Sequence, residues 1–203
     1  FKNMKYGMKH EIPINSSFNL LRYLNLSPTF NYTERWYFSK IDKVWDPENN
    51  TQMIADTTHG FYRVFDYRIS ASLSTRIYGT FQFKGNGPIR AIRHVMTPSI
   101  TGSFTPDFGA SKYGYYKPIQ TDSSGTIGYY SPYEQGIYGV PSRGKSASLS
   151  FSLGNTLEMK VRSKSDSTGY KKIKLLESFS ISSSYNFLAD SMNLSPFTIS
   201  ART

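Results

Sequence analysis

The chain has 203 residues, carries a net charge of +10 and contains no cysteine. Its 16 tyrosines and 14 phenylalanines, set among many serines, are unlike the composition of a soluble α/β domain. No segment reaches the roughly 18–20 consecutive apolar residues of a membrane-spanning helix, which excludes a helical membrane protein. The absence of cysteine also excludes disulfides and thiolate chemistry.

The first strand is predicted from Met4 to about Pro13, because apolar and polar side chains alternate there. A short connection over 15–23 follows, with room for one helical turn. The next strand runs from Leu26 to Phe38, again by alternation. The segment at about 40–60, which contains Asp-Pro-Glu-Asn-Asn, is predicted to be a long polar loop.

The strand predicted over 61–83 has the clearest pattern in the chain. Phe65, Ile69 and Leu73 fall on one face, whereas the other face carries Asp66, Arg68 and a row of serines. A strand of a soluble sandwich shows such alternation over about 5 or 6 residues. Here it lasts longer and recurs in other strands, which indicates lipid on one side and water on the other.

The remaining elements follow the same pattern. They are a turn at 84–88, a strand at 96–104, a long irregular segment at about 107–145, a strand at 149–161, a turn at 165–172, a strand at 179–187 and a last strand from about Leu194. The total is about seven or eight strands joined as hairpins. The two long loops are separated by an even number of crossings, so they are expected on the same side.

The predicted fold is therefore an all-β, antiparallel, up-and-down transmembrane β-barrel. Residues 1–203 are expected to form part of its wall, with no second domain, and both ends of the chain resemble cuts through a larger protein. The alternative is a soluble β-sandwich with long loops, which the alternation alone also allows.

The basic charge points to an acidic partner such as anionic lipid or a phosphorylated glycolipid. Nucleic acid is disfavoured, because no nucleic-acid-binding motif is present. The candidate basic residues on the polar faces are Arg68, Arg76, Lys160 and Arg162. They would face a water-filled lumen, or else simply pair with Asp66 and Glu158.

No catalytic constellation is recognisable, and no cofactor or metal site is expected. The three histidines, His10, His59 and His94, are far apart in the sequence. A lone histidine is more often a structural hydrogen-bonding residue than a metal ligand. The long segment 107–145 offers aromatic contact candidates instead: Tyr113, Tyr115, Tyr116, Tyr129, Tyr130 and Tyr133.

A set of ordered motifs resembles the LptD family of lipopolysaccharide-assembly proteins. These motifs are Arg90-Ala-Ile-Arg93-His94-Val-Met-Thr-Pro98, Phe104-Thr-Pro106-Asp-Phe108, Gly154-Asn-Thr-Leu-Glu-Met-Lys160 and Ser184-Tyr-Asn-Phe187 with Asp190-Ser191. The resemblance covers residues 60–203, with Arg93, His94, Pro98 and Pro106 as motif residues.

The resemblance implies an outer-membrane translocon without catalytic activity. In that family a very wide barrel is joined to a periplasmic jelly-roll domain and plugged by the lipoprotein LptE, and lipopolysaccharide leaves through a lateral seam. The expected partners are the remaining strands and jelly-roll of the same protein, an LptE-like plug, lipopolysaccharide and membrane lipid. The competing functions are a porin or nutrient receptor, and a soluble secreted glycan-binding β-protein.

Overall fold

The computed structural model describes residues 5–85, 87–164 and 169–203, and in this part of the chain it is built from β-strands. The strands are Gly7–Asn15 (β1), Phe18–Leu20 (β2), Leu24–Asp46 (β3), Thr51–Thr75 (β4), Ile77–Gln82 (β5), Ile89–Thr105 (β6), Lys117–Gln120 (β7), Ile127–Tyr130 (β8), Ser146–Arg162 (β9), Tyr170–Asn186 (β10) and Thr198–Arg202 (β11). One 3₁₀ turn lies at Ser111–Tyr113. No helix in the described ranges has the length and apolar character needed to cross a membrane.

Strands that follow one another along the chain lie side by side. The main sheet has nine strands in the order β1-β3-β4-β6-β9-β10-β11, with β2 paired to β3 and β5 paired to β6. The short strands β7 and β8 form a separate antiparallel pair. This arrangement confirms the prediction of an all-β, antiparallel architecture.

The prediction of a long polar loop at about 40–60 is wrong, because β3 and β4 extend through most of that segment. They have 23 and 25 residues, and only residues 47–50 form the turn between them. Asp46 accepts hydrogen bonds from the backbone N–H groups of Glu48 (3.0 Å) and Asn49 (3.4 Å). Asn50 adopts a left-handed φ of 48°. An aspartate-led turn with a left-handed asparagine needs few residues, which explains why the connection is compact.

The connection expected over 15–23 also differs, because it contains β2 instead of a helical turn. Phe18 pairs with Leu26 and Leu20 pairs with Leu24, which makes a hairpin of β2 and β3. The Tyr23 N–H donates to the Leu20 carbonyl over 3.2 Å. Leu21 and Arg22, between them, have left-handed φ values of 50° and 65°. This is the backbone of a tight hairpin turn, made without the glycine or asparagine that usually signals it.

Relieving the backbone strain in this turn should stabilise the β2–β3 hairpin. A left-handed conformation costs an L-residue roughly 1–2 kcal/mol, and glycine avoids most of that cost. Leu21 is 81% exposed, so the Leu21→Gly substitution removes little buried surface. We expect slower hydrogen exchange at the Tyr23 amide, by about tenfold. Unchanged or faster exchange would show that the turn is not strained.

The other strand and turn boundaries agree approximately with those predicted from the sequence. The strand predicted over 61–83 is covered by β4 and β5, which are separated only at Arg76. Residue 86 in the predicted turn at 84–88, and residues 165–168 in the predicted turn at 165–172, lie outside the described residues. The last strand is β11, and Leu194 makes only an isolated bridge to Tyr185.

The described chain divides into two compact units. Unit 1 contains the residues up to 14, 30–69 and 104–146, and unit 2 contains 15–29, 70–103 and the described residues from 147 onward. Unit 1 has a core built on Tyr37, Val64, Phe108 and Tyr115. In the described part of unit 2, by contrast, no hydrophobic side chain is fully buried.

Candidate functional site

One side of the unit 2 sheet carries small hydroxylated residues, and we call it the hydroxyl face. Its members include Ser72, Thr97, Ser99, Thr101, Ser148, Ser150, Ser152, Ser180, Ser182 and Ser184. Neighbouring strands are joined by side-chain hydrogen bonds of 2.9 Å between Ser99 and Ser152, and of 3.0 Å between Thr101 and Ser72. Ser182 lies directly opposite Ser152 in the next strand pair. The hydroxyl face is therefore a continuous, neutral and polar surface.

The serines also shape a shallow cleft on this face. It has a volume of about 330 Å³ and is lined by Ser99, Thr101, Ser150, Phe151, Ser152, Ser182, Ser183, Ser184, Ser195, Pro196 and Thr198. A hydroxyl can both donate and accept, so each serine keeps hydrogen-bonding capacity beyond its bond to a neighbour. Such a surface can be wetted, or can contact sugar hydroxyls, without any fixed charge.

The opposite side of the same sheet is apolar and uncovered. Ile77 is 47% exposed, Ile100 48% and Ile199 63%. A soluble sandwich would pack such a face against a second sheet. The described part of unit 2 has no such packing, so the sandwich prediction finds no support there. Each strand instead separates a polar from an apolar surface, as in an outer-membrane barrel.

The four predicted basic residues do not form one cluster. Arg68 belongs to unit 1, where its Nε donates to Thr105 Oγ1 over 3.1 Å. Arg76 lies in unit 2 between β4 and β5, with Nη1 3.5 Å from the Tyr78 hydroxyl. Lys160 Nζ lies 4.3 Å from the centre of the Tyr170 ring. The Arg162 backbone N–H donates to the Pro88 carbonyl over 2.8 Å.

The expected pairing of these residues with Asp66 is not met. Asp66 forms its ion pair with Arg35, not with Arg68. Glu158 lies opposite Lys174, and Lys160 lies opposite another cation, Lys172. A lumenal role for Arg68, Arg76, Lys160 and Arg162 thus stays a prediction.

The motif residues are distributed along β6. The Arg93 guanidinium lies 5.1 Å from the centre of the Tyr78 ring, and His94 Nε2 lies 3.1 Å from Asn155 Oδ1. Pro98 lies within β6, and Pro106 follows the last residue of that strand. These contacts join β6 to its neighbours β5 and β9. They give the histidine a hydrogen-bonding role in the sheet.

Residues 106–145, between β6 and β9, form a folded element that we call the insertion. Its Phe108 is 0% exposed and packs edge-on against Tyr67, with ring centres 5.5 Å apart. Tyr133 stacks on Tyr37 of β3 at 5.6 Å. The insertion thus supplies half of the unit 1 core. Phe108 entered the sequence analysis only within a motif, and its burial was not predicted, because an irregular segment has no periodicity to reveal which side chains point inward.

The predicted contact tyrosines mostly hold the insertion together. Tyr113, Tyr116 and Tyr133 pack against the core cluster, and Tyr115 belongs to it. Tyr130 is 6% exposed, and its hydroxyl accepts the Lys43 backbone N–H over 3.1 Å. Tyr129 alone of the set is largely exposed, at 52%, with the Arg143 guanidinium 3.9 Å from its ring centre. Contact of these tyrosines with a plug stays a prediction.

The insertion also contacts the backbone of β4. The Phe65 backbone N–H in β4 donates to the Tyr115 hydroxyl over 3.0 Å. Phe65 contacts Tyr113 and Tyr115 edge-on, at 6.1 and 6.2 Å between ring centres. Phe65, expected to face lipid, is therefore partly covered by protein.

Polar contacts fix the insertion to the β3–β4 hairpin and close its base. Lys117 forms an ion pair with Asp42, and Lys43 forms one with Glu134. Asp107 Oδ1 accepts the backbone N–H of Gly109 over 2.8 Å and that of Gly144 over 2.7 Å. One carboxylate thus joins the two ends of the insertion. Nothing in the spacing of the sequence identifies Asp107 in that role.

The turn between β7 and β8 should respond to acid. Asp122 accepts hydrogen bonds from the Ser124 hydroxyl and from the Thr126 and Ser124 backbone N–H groups, and these bonds lower its pKa to about 2. Because the folded-state pKa lies below the ordinary value of 3.8, this stabilisation is present above pH 3.8 and is lost as the pH falls through 2. A ¹³C NMR titration of the carboxyl carbon, assigned with Asp122→Asn, measures it. A midpoint near 3.8 would contradict the hydrogen-bonded turn.

The described residues contain no group of three or more His, Asp or Glu side chains positioned to hold a metal ion. What the arrangement offers instead is a polar surface, an apolar surface and a docked aromatic insertion. Together with the antiparallel order of neighbouring strands, these surfaces are typical of the β-barrel class of outer-membrane proteins.

The family model described as LptD protein matches residues 1–203, and the chain belongs to the LptD family. The match extends the resemblance seen in the motifs to the whole chain. It gives the chain a role in lipopolysaccharide transport at the outer membrane of Gram-negative bacteria. Neither the curated proteins nor the solved structures gave a match.

Proposed function

We propose that the chain forms a wall segment of a translocon that delivers lipopolysaccharide to the cell surface, without breaking any bond. The observation that carries the proposal is the uncovered apolar face of unit 2, opposite a face of hydrogen-bonded hydroxyls. In a membrane the apolar side would contact acyl chains. The hydroxyl side would line an aqueous path for the sugars of the glycolipid.

The sidedness of the segment can also be proposed. The β3–β4 hairpin and the insertion lie at the same end, because Lys117 pairs with Asp42 and the Ile41 N–H donates to the Pro132 carbonyl over 2.9 Å. Outer-membrane barrels place their long connections outside the cell and their short turns in the periplasm. The docked insertion would accordingly lie at the extracellular end.

The proposed partners follow from what a bilayer cannot supply. β1 and β11 are the two edges of the main sheet. Hydrocarbon offers no hydrogen-bond partner to an open edge, so each edge would pair with another strand of the same protein. A jelly-roll domain, an LptE-like plug and lipopolysaccharide itself complete the proposed assembly. The basic residues Arg68, Arg76, Lys160 and Arg162 would give the polar side its attraction for phosphates.

Site-specific photocrosslinking in cells tests this function. A photoreactive phenylalanine derivative is placed at Ser99 on the hydroxyl face, or at the adjacent Ile100 on the apolar face, of the full-length protein. We expect lipopolysaccharide adducts at Ser99 that disappear when transport is blocked upstream. At Ile100 we expect phospholipid or lipid-chain adducts that do not depend on transport.

The two positions control for each other, because they are neighbours in β6 and differ mainly in the face they occupy. Equal lipopolysaccharide labelling at both, or none at Ser99 during active transport, would reject the proposed path. A porin or nutrient receptor would give no transport-dependent adduct at either position.

A further inference from the structure

We propose that a second cleft on unit 2, between the β2–β3 hairpin and the hydroxyl face, binds a phosphate ester of a glycolipid headgroup. The inference deepens the proposed function and rests on it for the source of the ligand. The chemistry of the site does not depend on the proposed function, because the cleft is formed by this chain's own side chains. We call it the arginine cleft after Arg22 and Arg76.

The arginine cleft has a volume of about 520 Å³. It is lined by Asn19, Arg22, Tyr23, Asn25, Ser74, Thr75, Arg76, Thr97, Pro98, Ser99, Ser152, Gly154 and Ser180. Small-molecule sites typically span about 300–1,000 Å³, so a phosphorylated sugar is of suitable size.

The hairpin that forms one wall is held in place by specific bonds. The Thr75 hydroxyl donates to the Tyr23 carbonyl over 2.5 Å, which joins the end of β4 to the hairpin turn. The Ser17 hydroxyl donates to Asn25 Oδ1 over 2.8 Å. That bond directs the Asn25 amide and leaves its nitrogen to donate elsewhere. The wall is thus positioned before any ligand arrives.

The floor of the cleft is kept open by a glycine. A Cβ added at Gly154 would lie 2.9 Å from Thr97 Oγ1, closer than real Cβ contacts allow. The same Thr97 hydroxyl donates to the Gly154 carbonyl over 3.3 Å. Any larger residue at this position would crowd Thr97, which also lines the arginine cleft.

The charge of the arginine cleft is uncompensated. Its lining contains two guanidinium groups and no aspartate or glutamate. Neither Arg22 nor Arg76 takes part in an ion pair within the described residues. The polar contact of Arg76 is long, 3.5 Å to the Tyr78 hydroxyl. Guanidinium groups match the oxygens of phosphate with paired hydrogen bonds.

The backbone at Arg22 is also unusual. Arg22 and Leu21 both adopt left-handed φ values, which are rare for such residues. Strained conformations persist where the surrounding structure requires them, and they concentrate at binding sites. Here the left-handed turn brings Arg22 into the lining of the same cleft as Arg76.

Binding measurements on the purified full-length protein in its native complex test the proposal. The variants are Arg22→Gln, Arg76→Gln and, as a matched loss of charge outside the cleft, Arg202→Gln. The probes are inorganic phosphate, a phosphorylated lipid A and the same lipid A after enzymatic dephosphorylation. Affinities are measured at about 50 and 500 mM salt, because screening should weaken a phosphate site.

We expect about a tenfold loss of affinity for phosphorylated lipid A in each cleft variant, and no change in Arg202→Gln. Dephosphorylated lipid A should bind all variants alike. Comparable losses for inorganic phosphate would support the anion site and identify free phosphate as a second ligand. Equal affinity of wild type and cleft variants for both phosphorylated probes would overturn the site. The transport-dependent adducts at Ser99 would be unaffected by that result, so the two proposals fail separately.

Discussion

Replacing Phe108 by alanine is expected to undock the insertion from the β3–β4 hairpin. The ring is 0% exposed and contacts Tyr67 and Tyr113, with ring centres 5.5 and 5.0 Å away. Removing a buried phenylalanine costs about 3–5 kcal/mol, because the cavity left behind cannot fully collapse. That cost corresponds to an increase of roughly 10²- to 4 × 10³-fold in the open population of the insertion.

Hydrogen exchange of the full-length protein measures this change at the amides that fix the insertion. One such amide is Ile41, which bonds to the Pro132 carbonyl over 2.9 Å. Ile137→Ala is the control, because that side chain is 48% exposed and should exchange like the wild type. If Phe108→Ala and Ile137→Ala gave the same exchange, the insertion would not depend on its aromatic core. Loss of protection across the whole sheet would point to global unfolding instead.

An arginine at Ile69 should be far more damaging than one at the adjacent Ser70. Ile69 is 46% exposed on the apolar side of β4. An arginine facing lipid near the bilayer midplane costs about 2–4 kcal/mol. Ser70→Arg would face the polar side, where the charge stays hydrated. The cost there should remain below about 1 kcal/mol, the usual scale for substitutions away from special features.

Urea titration of the protein folded in phospholipid vesicles compares these two variants. The quantity to compare is the difference in the free energy of unfolding between the two variants, because both introduce the same side chain one residue apart. Equal destabilisation would mean that the two faces of β4 do not meet different solvents. A larger cost for Ser70→Arg would reverse the assignment of lipid and water faces.

Alternation predicted the long strands and their two faces, but not the short strands β2, β7 and β8. Ser70 and Ser72 were placed correctly opposite Ile69 and Ala71, since the period of a strand is set by backbone geometry alone. The ordered motifs between Arg90 and Ser191 carried the family resemblance, which the match over 1–203 confirms. These features depend on local sequence, and local sequence is what the pattern reports.

Turns and the insertion were harder to predict, for different physical reasons. The turn after Asp46 is compact because its carboxylate accepts the backbone N–H groups of Glu48 and Asn49, a contact that polar composition alone does not distinguish from a loop. The turn at Leu21 and Arg22 lacks the residues that normally permit left-handed φ values. The core of the insertion joins Phe108 to Val64, residues that are far apart in sequence, so no local pattern encodes their contact.

The Asp107 carboxylate has a consequence for how surface variation could arise. Because it binds the Gly109 and Gly144 amides together, it closes the base of the insertion independently of what lies between. Because the base is closed, the part of the insertion around the β7–β8 turn can change length or sequence at small entropic cost, since that cost grows only slowly with loop length. The turn around Asp122 is thus a position where the length or sequence can change, or an epitope tag can be grafted, while the strands keep their register.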